Sequence, residues 1–145
     1  MTREQVRTYI EDGIKLLSTN LGFNSGRITE FNSERSNGYP FAWLESLSVS
    51  SDIPNQTPID TWSIVIHIAQ KDAMDSKPDD YEAIVDVSDY IAQQLQKKYN
   101  AEVSGFKLIT MEGMTREPFI KKHADCLTGV IFSFNLIAPD TANFC

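Results

Sequence analysis

The amino-acid sequence predicts a single α+β domain over residues 1–145, in which an antiparallel or mixed β-sheet of about five strands is packed by two helices. Two stretches carry apolar side chains at intervals of three and four, the period of a helix, and other stretches show the shorter apolar pattern of strands. The elements follow the order α-β-β-β-α-β-β, without the repeated alternation of a doubly wound parallel sheet. Residues 139–145 are expected to form a flexible tail.

Residues 3–20 are expected to form the first helix. Its apolar stripe repeats every three to four residues, and charged residues fill the opposite face. The segment "NLGFNSG" ends this helix, with Gly22 as a left-handed C-terminal cap. The stripe consists of Val6, Tyr9, Ile10, Gly13, Ile14, Leu17 and Leu21.

Three strands are expected before the second helix. The first is "RITEFNSER", the second is "FAWLESLSV", and the third is "TWSIVIHIAQ". Strict alternation in the second strand places Phe41, Trp43, Glu45, Leu47 and Val49 on one face and Ala42, Leu44, Ser46 and Ser48 on the other. The third strand carries Trp62, Ile64, Ile66 and Ile68 on one face and Val65 and Ala69 on the reverse. That pattern favours a central strand covered on both sides.

Residues 77–99 are expected to form the second helix. Ser76 caps it, Pro78 is tolerated in the first turn, and Asp79 and Asp80 favour its positive start. The chain then closes with the strands "GFKLITME" and "CLTGVIFSFNLIA", separated by a loop over residues 113–125. The buried stripe of this helix is Tyr81, Ile84, Val85, Ser88, Ile91, Ala92, Leu95 and Tyr99.

Composition excludes several classes of function. A net charge of −7 argues against a surface that holds nucleic acid by its phosphates, because such surfaces cluster Lys and Arg. The sequence shows no apolar run near the roughly 20 residues of a membrane span and no secretory signal segment at its start. The two cysteines, Cys126 and Cys145, form no CxxC pattern and are expected to be free thiols in a reducing compartment.

The acids Asp72, Asp75, Asp79 and Asp80 are the first candidates for chemistry. A calcium loop requires closely alternating carboxylates around a central glycine, and these acids are irregularly spaced with no glycine among them. The sequence pattern of Asp60, Asp75 and Lys77 is similar to the two carboxylates and the lysine of a metal-dependent nuclease. However, a strand about 30 Å long separates Asp60 from the other two residues. A small metal-dependent hydrolase is therefore only the third hypothesis for this chain.

The two histidines add little to an enzymatic interpretation. His67 lies in mid-strand, where a hydrogen-bonded structural histidine is the usual finding. His123, Asp125 and Cys126 suggest a Cys–His pair, but Cys126 begins a strand that should be buried, and catalysis needs an accessible thiolate. The sequence therefore predicts no enzyme, no cofactor and no metal site.

The predicted loop 113–125 is the main candidate for a contact with another subunit or protein. It mixes apolar and basic side chains and is longer than a simple connection requires. Such a mixture suits an acidic partner, and the acids between positions 72 and 89 of a second copy would complement it. A flexible exposed loop remains an equal alternative. The candidate interface residues are Met114, Arg116, Phe119, Lys121 and Lys122.

The order of elements resembles the tail-terminator, or tail-completion, proteins of long-tailed bacteriophages. The resemblance covers nearly the whole chain: an amphipathic opening helix, a strand introduced by "GYPFAWLE", a W-x-I-x-I-x-I strand, and the turn "KDAMDSKPDDYEAI" into a long helix. A last pair of strands separated by an extended loop completes it. The polar loop "SSDIPNQTPID" departs from many relatives.

This resemblance implies a homo-oligomeric ring, commonly a hexamer, that caps the tail tube and joins it to the head through tube and connector proteins. DNA would pass without specific binding along a lumen, or complementary surface, for which Asp72, Asp75, Asp79 and Asp80 are the candidates. The protein would be assembled in the host cytoplasm and reside in the virion tail or neck, with no membrane contact. The alternatives are another head–tail connector or stopper protein, or a small non-enzymatic α+β binding module.

Overall fold

The computed structural model describes residues 2–17, 22–26, 41–53, 58–71, 77–104, 110–122 and 127–139. They form an α+β fold with two helices on a six-stranded, mostly antiparallel sheet, as the sequence predicts for the class and approximate order. None of the described helices combines the length and the apolarity needed to cross a membrane. The elements are α1 (Arg3–Leu17), β1 (Gly22–Gly26), β2 (Phe41–Glu45), β3 (Ser48–Asp52), β4 (Ile59–Lys71), α2 (Pro78–Ser104), β5 (Thr110–Lys122) and β6 (Leu127–Pro139).

The strands lie in the order β1-β2-β4-β6-β5, with β3 paired to β4. Only the β1–β2 pair is parallel among the described strands. The longest ladder joins β4 to β6 without a break, from Ile59 opposite Pro139 to Lys71 opposite Leu127. Strand β4 is therefore central, as its apolar pattern predicts. Pro139, expected to open the tail, is the last residue of β6, and the rest of that tail lies outside the described residues.

Helix α1 begins at a reciprocal cap. The Thr2 backbone N–H donates to Oε1 of Gln5 at 2.8 Å, and the Gln5 N–H donates to Oγ1 of Thr2 at 3.2 Å. This pair satisfies two N–H groups that have no partner within the helix. The sequence signal, Thr-x-x-Gln before an apolar stripe, is present at the start of the chain. The buried members of the predicted stripe are Val6, Ile10, Gly13 and Ile14.

The predicted left-handed cap at Gly22 is wrong. Gly22 begins β1 and lies opposite Phe41 in the parallel pairing with β2. Phe23, the next residue, packs against the core between helices and sheet, so this short segment is held by strand pairing and burial. Gly22 also lies close to the Phe41 side chain: a Cβ added at Gly22 would lie 2.7 Å from the Phe41 ring. The strand expected at 27–35 lies outside the described residues.

Strand "FAWLESLSV" is not continuous. It divides into β2 and β3, which pair with successive parts of β4: Leu44 lies opposite Ile66 and Ser48 lies opposite Ser63. Three residues thus face two on β4, so the chain carries a β-bulge at positions 45–47. The extra residue shifts the alternation, which moves Leu47 and Val49 to the face of Ala42 and Leu44. The prediction that Leu47 and Val49 share the face of Trp43 is therefore wrong.

The main core lies between the sheet and the two helices. Trp62, Ile64, Ile66 and Ile68 all point into it from β4, as predicted. The buried stripe of α2 is also largely as predicted, since Ser88, Ala92, Leu95 and Tyr99 are buried and the remaining members are half-buried. The helix continues to Ser104, five residues beyond the predicted end at position 99. Side chains of α2 and of the sheet meet at Tyr99, whose ring centroid lies 5.8 Å from that of Phe134 on β6.

A second, smaller cluster lies on the opposite face of the sheet. It contains Trp43, Ala69, Phe119 and Leu127, all nearly fully buried. His67 is buried on the same face, with its ring 6.0 Å from that of Phe119 in an edge-on arrangement. The reverse face of β4 is thus buried around His67 and Ala69, as predicted, although both described helices lie on the other side.

Candidate functional site

The predicted interface loop is a strand. Residues 113–122 belong to β5, which pairs with β6 along its whole length, so the expectation of a loop over 113–125 is wrong for this part; residues 123–126 lie outside the described residues. The pairing contains two register shifts, between Glu112 and Thr115 and between Phe119 and Lys122. Gly113, at the first shift, has a φ of +66°. These irregularities interrupt the alternation by which a strand is recognised in sequence.

The five candidate interface residues have different environments. Phe119 is only 4% exposed and is part of the second cluster, and Met114 is half-buried against the main core. Both side chains therefore stabilise the subunit itself. The backbone of Lys121 and Lys122 ends β5, and their side chains lie outside what the structure describes. Ile120, next to them, is 46% exposed.

Arg116 links β5 to α2. Its Nη1 lies 3.5 Å from Oδ2 of Asp89, and both side chains are about one-third exposed. At that distance and exposure the pair contributes roughly 0–1 kcal/mol to folding. The arginine of the predicted basic segment is thus already paired with an acid of the predicted acidic segment, within one subunit.

The four acids proposed for a lumen are only partly described. Asp72 and Asp75 lie outside the described residues, and Asp79 belongs to the first turn of α2 with its side chain undescribed. Asp80 is exposed, and its Oδ2 accepts the Lys77 backbone N–H at 3.2 Å. This is the acidic half of a capping box with Lys77 at the N-cap, so Asp80 stabilises the start of the helix, as its position predicts. Ser76, the predicted cap, lies outside the described residues.

An exposed strip of α2 is not among the sequence-based predictions, because the buried stripe of this helix gives the stronger periodic pattern. Glu82 and Asp86 are exposed on the side facing away from the sheet, next to two large exposed apolar side chains. Val87 is 49% exposed and Tyr90 is 62% exposed. The i to i+3 spacing of this apolar pair within a long amphipathic helix was the signal that could have shown it.

A groove of about 510 Å³ opens at the start of α1. Its walls combine two arginines, two glutamates and two leucines, so it offers both charged and apolar contacts. The Arg3 guanidinium also lies 5.9 Å from the ring of Trp62, within the range of a cation–π contact. The lining residues are Arg3, Glu4, Arg7, Ser25, Gly26, Leu44, Glu45, Ser46 and Leu47.

The residues considered for catalysis are not assembled into a reaction centre in the described part of the chain. His67 Nε2 lies 3.2 Å from Oε1 of Glu45, which gives this buried histidine a carboxylate neighbour. Asp60 Oδ1 accepts a hydrogen bond from the Ser51 hydroxyl at 2.6 Å, at the end of β4 remote from Lys77. Among the described residues, no group of three His, Cys, Asp or Glu side chains could hold a metal ion. The residues Asp75, His123, Asp125 and both cysteines lie outside this description.

No protein-family model matches the chain, and no curated protein sequence matches it significantly.

Proposed function

We propose that this chain is the subunit of a tail-terminator ring, a structural virion protein that caps the tail tube of a long-tailed bacteriophage and joins it to the head. The observation that carries the proposal is the order of elements. An amphipathic α1, a W-x-I-x-I-x-I central strand, an acidic segment that leads into a long α2, and a final strand pair follow one another in one α+β unit.

The surface chemistry supports an assembly role. Strand β5 lies at the edge of the sheet and ends in Ile120, Lys121 and Lys122, while the start of α2 is acidic. Contact between the basic end of β5 on one copy and acids on the next would be favoured by charge. Two different patches that meet in this way form a head-to-tail interface, which closes into a ring when the rotation between subunits allows it. The net charge of −7 suits a conduit along which DNA slides.

The decisive experiment adds the purified protein to polymerising tail tubes of the same phage. Electron microscopy is expected to show a ring at one end of each tube and tubes that stop growing. Unchanged tube growth, with no ring at the ends, would refute the proposal. The position of the gene among portal, connector and major tail protein genes is the matching genomic observation.

A double variant tests the contact itself. Lys121→Glu with Lys122→Glu is expected to abolish capping while leaving the circular dichroism and the melting temperature unchanged. Arg7→Glu with Lys15→Glu changes the net charge by the same amount at two exposed positions of α1. It removes the Lys15–Glu11 ion pair and alters the wall of the groove, but it leaves the end of β5 intact and should therefore cap normally. Equal capping by both variants would rule out the role assigned to the end of β5.

The groove at the start of α1 favours a second candidate, a small non-enzymatic binding module. Its mixed lining of Arg7, Glu45 and Leu47 suits a ligand that carries both charged and apolar groups. Screening zwitterionic and acidic fragments by NMR would test this function through chemical-shift changes at Leu44 and Leu47. No change at either leucine across the library would count against it.

A further inference from the structure

The exposed side of α2 carries the spacing of a helix-pairing seam. Five positions on the side facing away from the sheet follow one another at alternating intervals of four and three, as do the a and d positions of a two-helix coiled coil. The first, third and fifth are exposed, the second is Val87, which is 49% exposed, and the fourth is half-buried. The seam consists of Ala83, Val87, Tyr90, Gln94 and Lys97.

Charge divides this helix along its length. Every charged residue from Asp79 to Asp89 is acidic, and the next two along the chain, Lys97 and Lys98, are basic. Near the seam, Glu82 and Asp86 are exposed in the first half and Lys97 is exposed in the second. Residues 79–89 therefore form an acidic half and residues 91–98 a basic half around the exposed apolar pair, while Glu102 follows beyond them with its side chain outside the described residues.

We infer that two copies of this chain associate through α2, with the two helices antiparallel across a two-fold axis. In an antiparallel pair the acidic half of each helix lies along the basic half of the other, so the charges are complementary at both ends. A parallel pair would place Glu82 and Asp86 beside the same acids of the second copy. The charge pattern thus selects the second copy as the occupant of this surface and fixes its direction.

Seam geometry fixes the register as well. In an antiparallel coiled coil an a position packs against a d position, which pairs Val87 with Tyr90 of the second copy and Ala83 with Gln94. The two-fold axis then crosses the helices between positions 88 and 89. Lys97 of the second copy lies beside the first turns of α2, near Asp80 and Glu82, where the aliphatic part of its side chain can cover the seam.

The edge of the sheet offers a poorer route to association. Strand β5 is an edge strand, and its two register shifts, Pro118 and charged side chains are the features by which edge strands avoid pairing with other chains. Association through a helix face avoids that difficulty. The inference concerns the free chain and does not depend on the ring proposal: the two-fold pair shares the acidic start of α2 with the ring contact, but it makes no use of the end of β5.

Sedimentation equilibrium with two complementary charge variants tests the inference. The wild-type chain is expected to show a reversible monomer–dimer equilibrium. Glu82→Lys and Lys97→Glu should each raise the dimer dissociation constant about tenfold, because two pairs per dimer change from attraction to repulsion. Mixing the two variants in equal amounts should restore the wild-type dissociation constant. In the mixed dimer, position 82 of each copy again lies near a side chain of opposite charge at position 97 of the other.

Tyr90→Glu serves as the apolar test, and circular dichroism checks that each variant keeps its fold. The Tyr90→Glu substitution should abolish dimer formation, because it places a charge in the middle of the seam. A wild-type chain that stays monomeric at concentrations on the order of 1 mM would overturn the inference. A dimer that survives Tyr90→Glu, or a mixture that fails to recover, would overturn it too, because another surface or another register would then form the interface.

Discussion

The Tyr99 hydroxyl donates a hydrogen bond of 2.9 Å to the carbonyl oxygen of Ile10, in the buried contact between α2 and α1. The Tyr99 ring also lies against Gly13, one turn further along α1. A phenol that is fully buried usually needs a partner for its polar atom. Here the partner is a helix carbonyl, so the Tyr99 side chain ties α2 to α1 at a defined point.

Removing this hydroxyl should lower stability without changing the fold. We expect Tyr99→Phe to reduce the free energy of unfolding by about 1 kcal/mol, the usual net worth of one buried hydrogen bond. Urea denaturation followed by circular dichroism measures the change. Tyr90→Phe, at a tyrosine that is 62% exposed, is the matched control and should stay within about 0.5 kcal/mol of wild type.

Gly13 should not accept a side chain, although alanine is the better helix former. A Cβ at this position would lie 2.5 Å from Cε1 and 2.8 Å from Oη of Tyr99. The buried ring cannot move away freely, so we expect Gly13→Ala to destabilise the protein by about 1–3 kcal/mol. In a Tyr99→Leu background the same change should cost less or stabilise the helix. Additive effects of the two changes would show that the ring is not the obstacle.

Gly129 should be the least tolerant glycine among those described. A Cβ there would overlap the backbone oxygen of Ile68 and lie 2.7 Å from Cα of Ala69, so backbone atoms of β4 would have to shift. We expect Gly129→Ala to cost at least about 3 kcal/mol. Gly113→Ala is the comparison, since space is available there and only the φ of +66° opposes it, at about 1 kcal/mol. Thermal unfolding measures both changes, and Gly129→Ala should lower the melting temperature more than Gly113→Ala does.

The cap at Asp80 should be measurable separately from its charge. Asp80→Ala removes the acceptor of the Lys77 N–H and is expected to cost about 1 kcal/mol. Asp86→Ala removes the same charge from an exposed position in the body of the helix and should change stability by less than about 0.5 kcal/mol. Equal losses in urea denaturation would mean that overall charge, and not capping, determines the effect.

The parts of the fold that could be predicted are those with an unbroken period. The stripe of α2 and the alternation of Trp62, Ile64, Ile66 and Ile68 follow directly from helix and strand geometry. Both elements are long, so local irregularities do not hide their pattern.

The parts that could not be predicted depend on a single inserted residue. The bulge at positions 45–47 moves Leu47 to the other face. The register shift near Gly113 interrupts the alternation of β5, so its sequence is typical of a loop. A bulge is set by pairing with a distant strand and leaves no local period to read. The same holds for the candidate site, since the burial of Phe119 and the pairing of Arg116 with Asp89 follow from where β5 lies in the sheet.

The unbroken β4–β6 ladder also has a consequence for how the chain is made. The residues it joins, from Lys71 with Leu127 to Ile59 with Pro139, leave the ribosome far apart in time, because α2 and β5 are synthesised between them. Closing such a long loop is slow, and β4, which can pair early with β2 and β3, cannot pair with β6 until that strand has emerged. The backbone edge of β4 that later pairs with β6 therefore remains open to unwanted pairing during synthesis. Production of the protein should be most sensitive to temperature and to chaperone supply in that interval, before β6 exists.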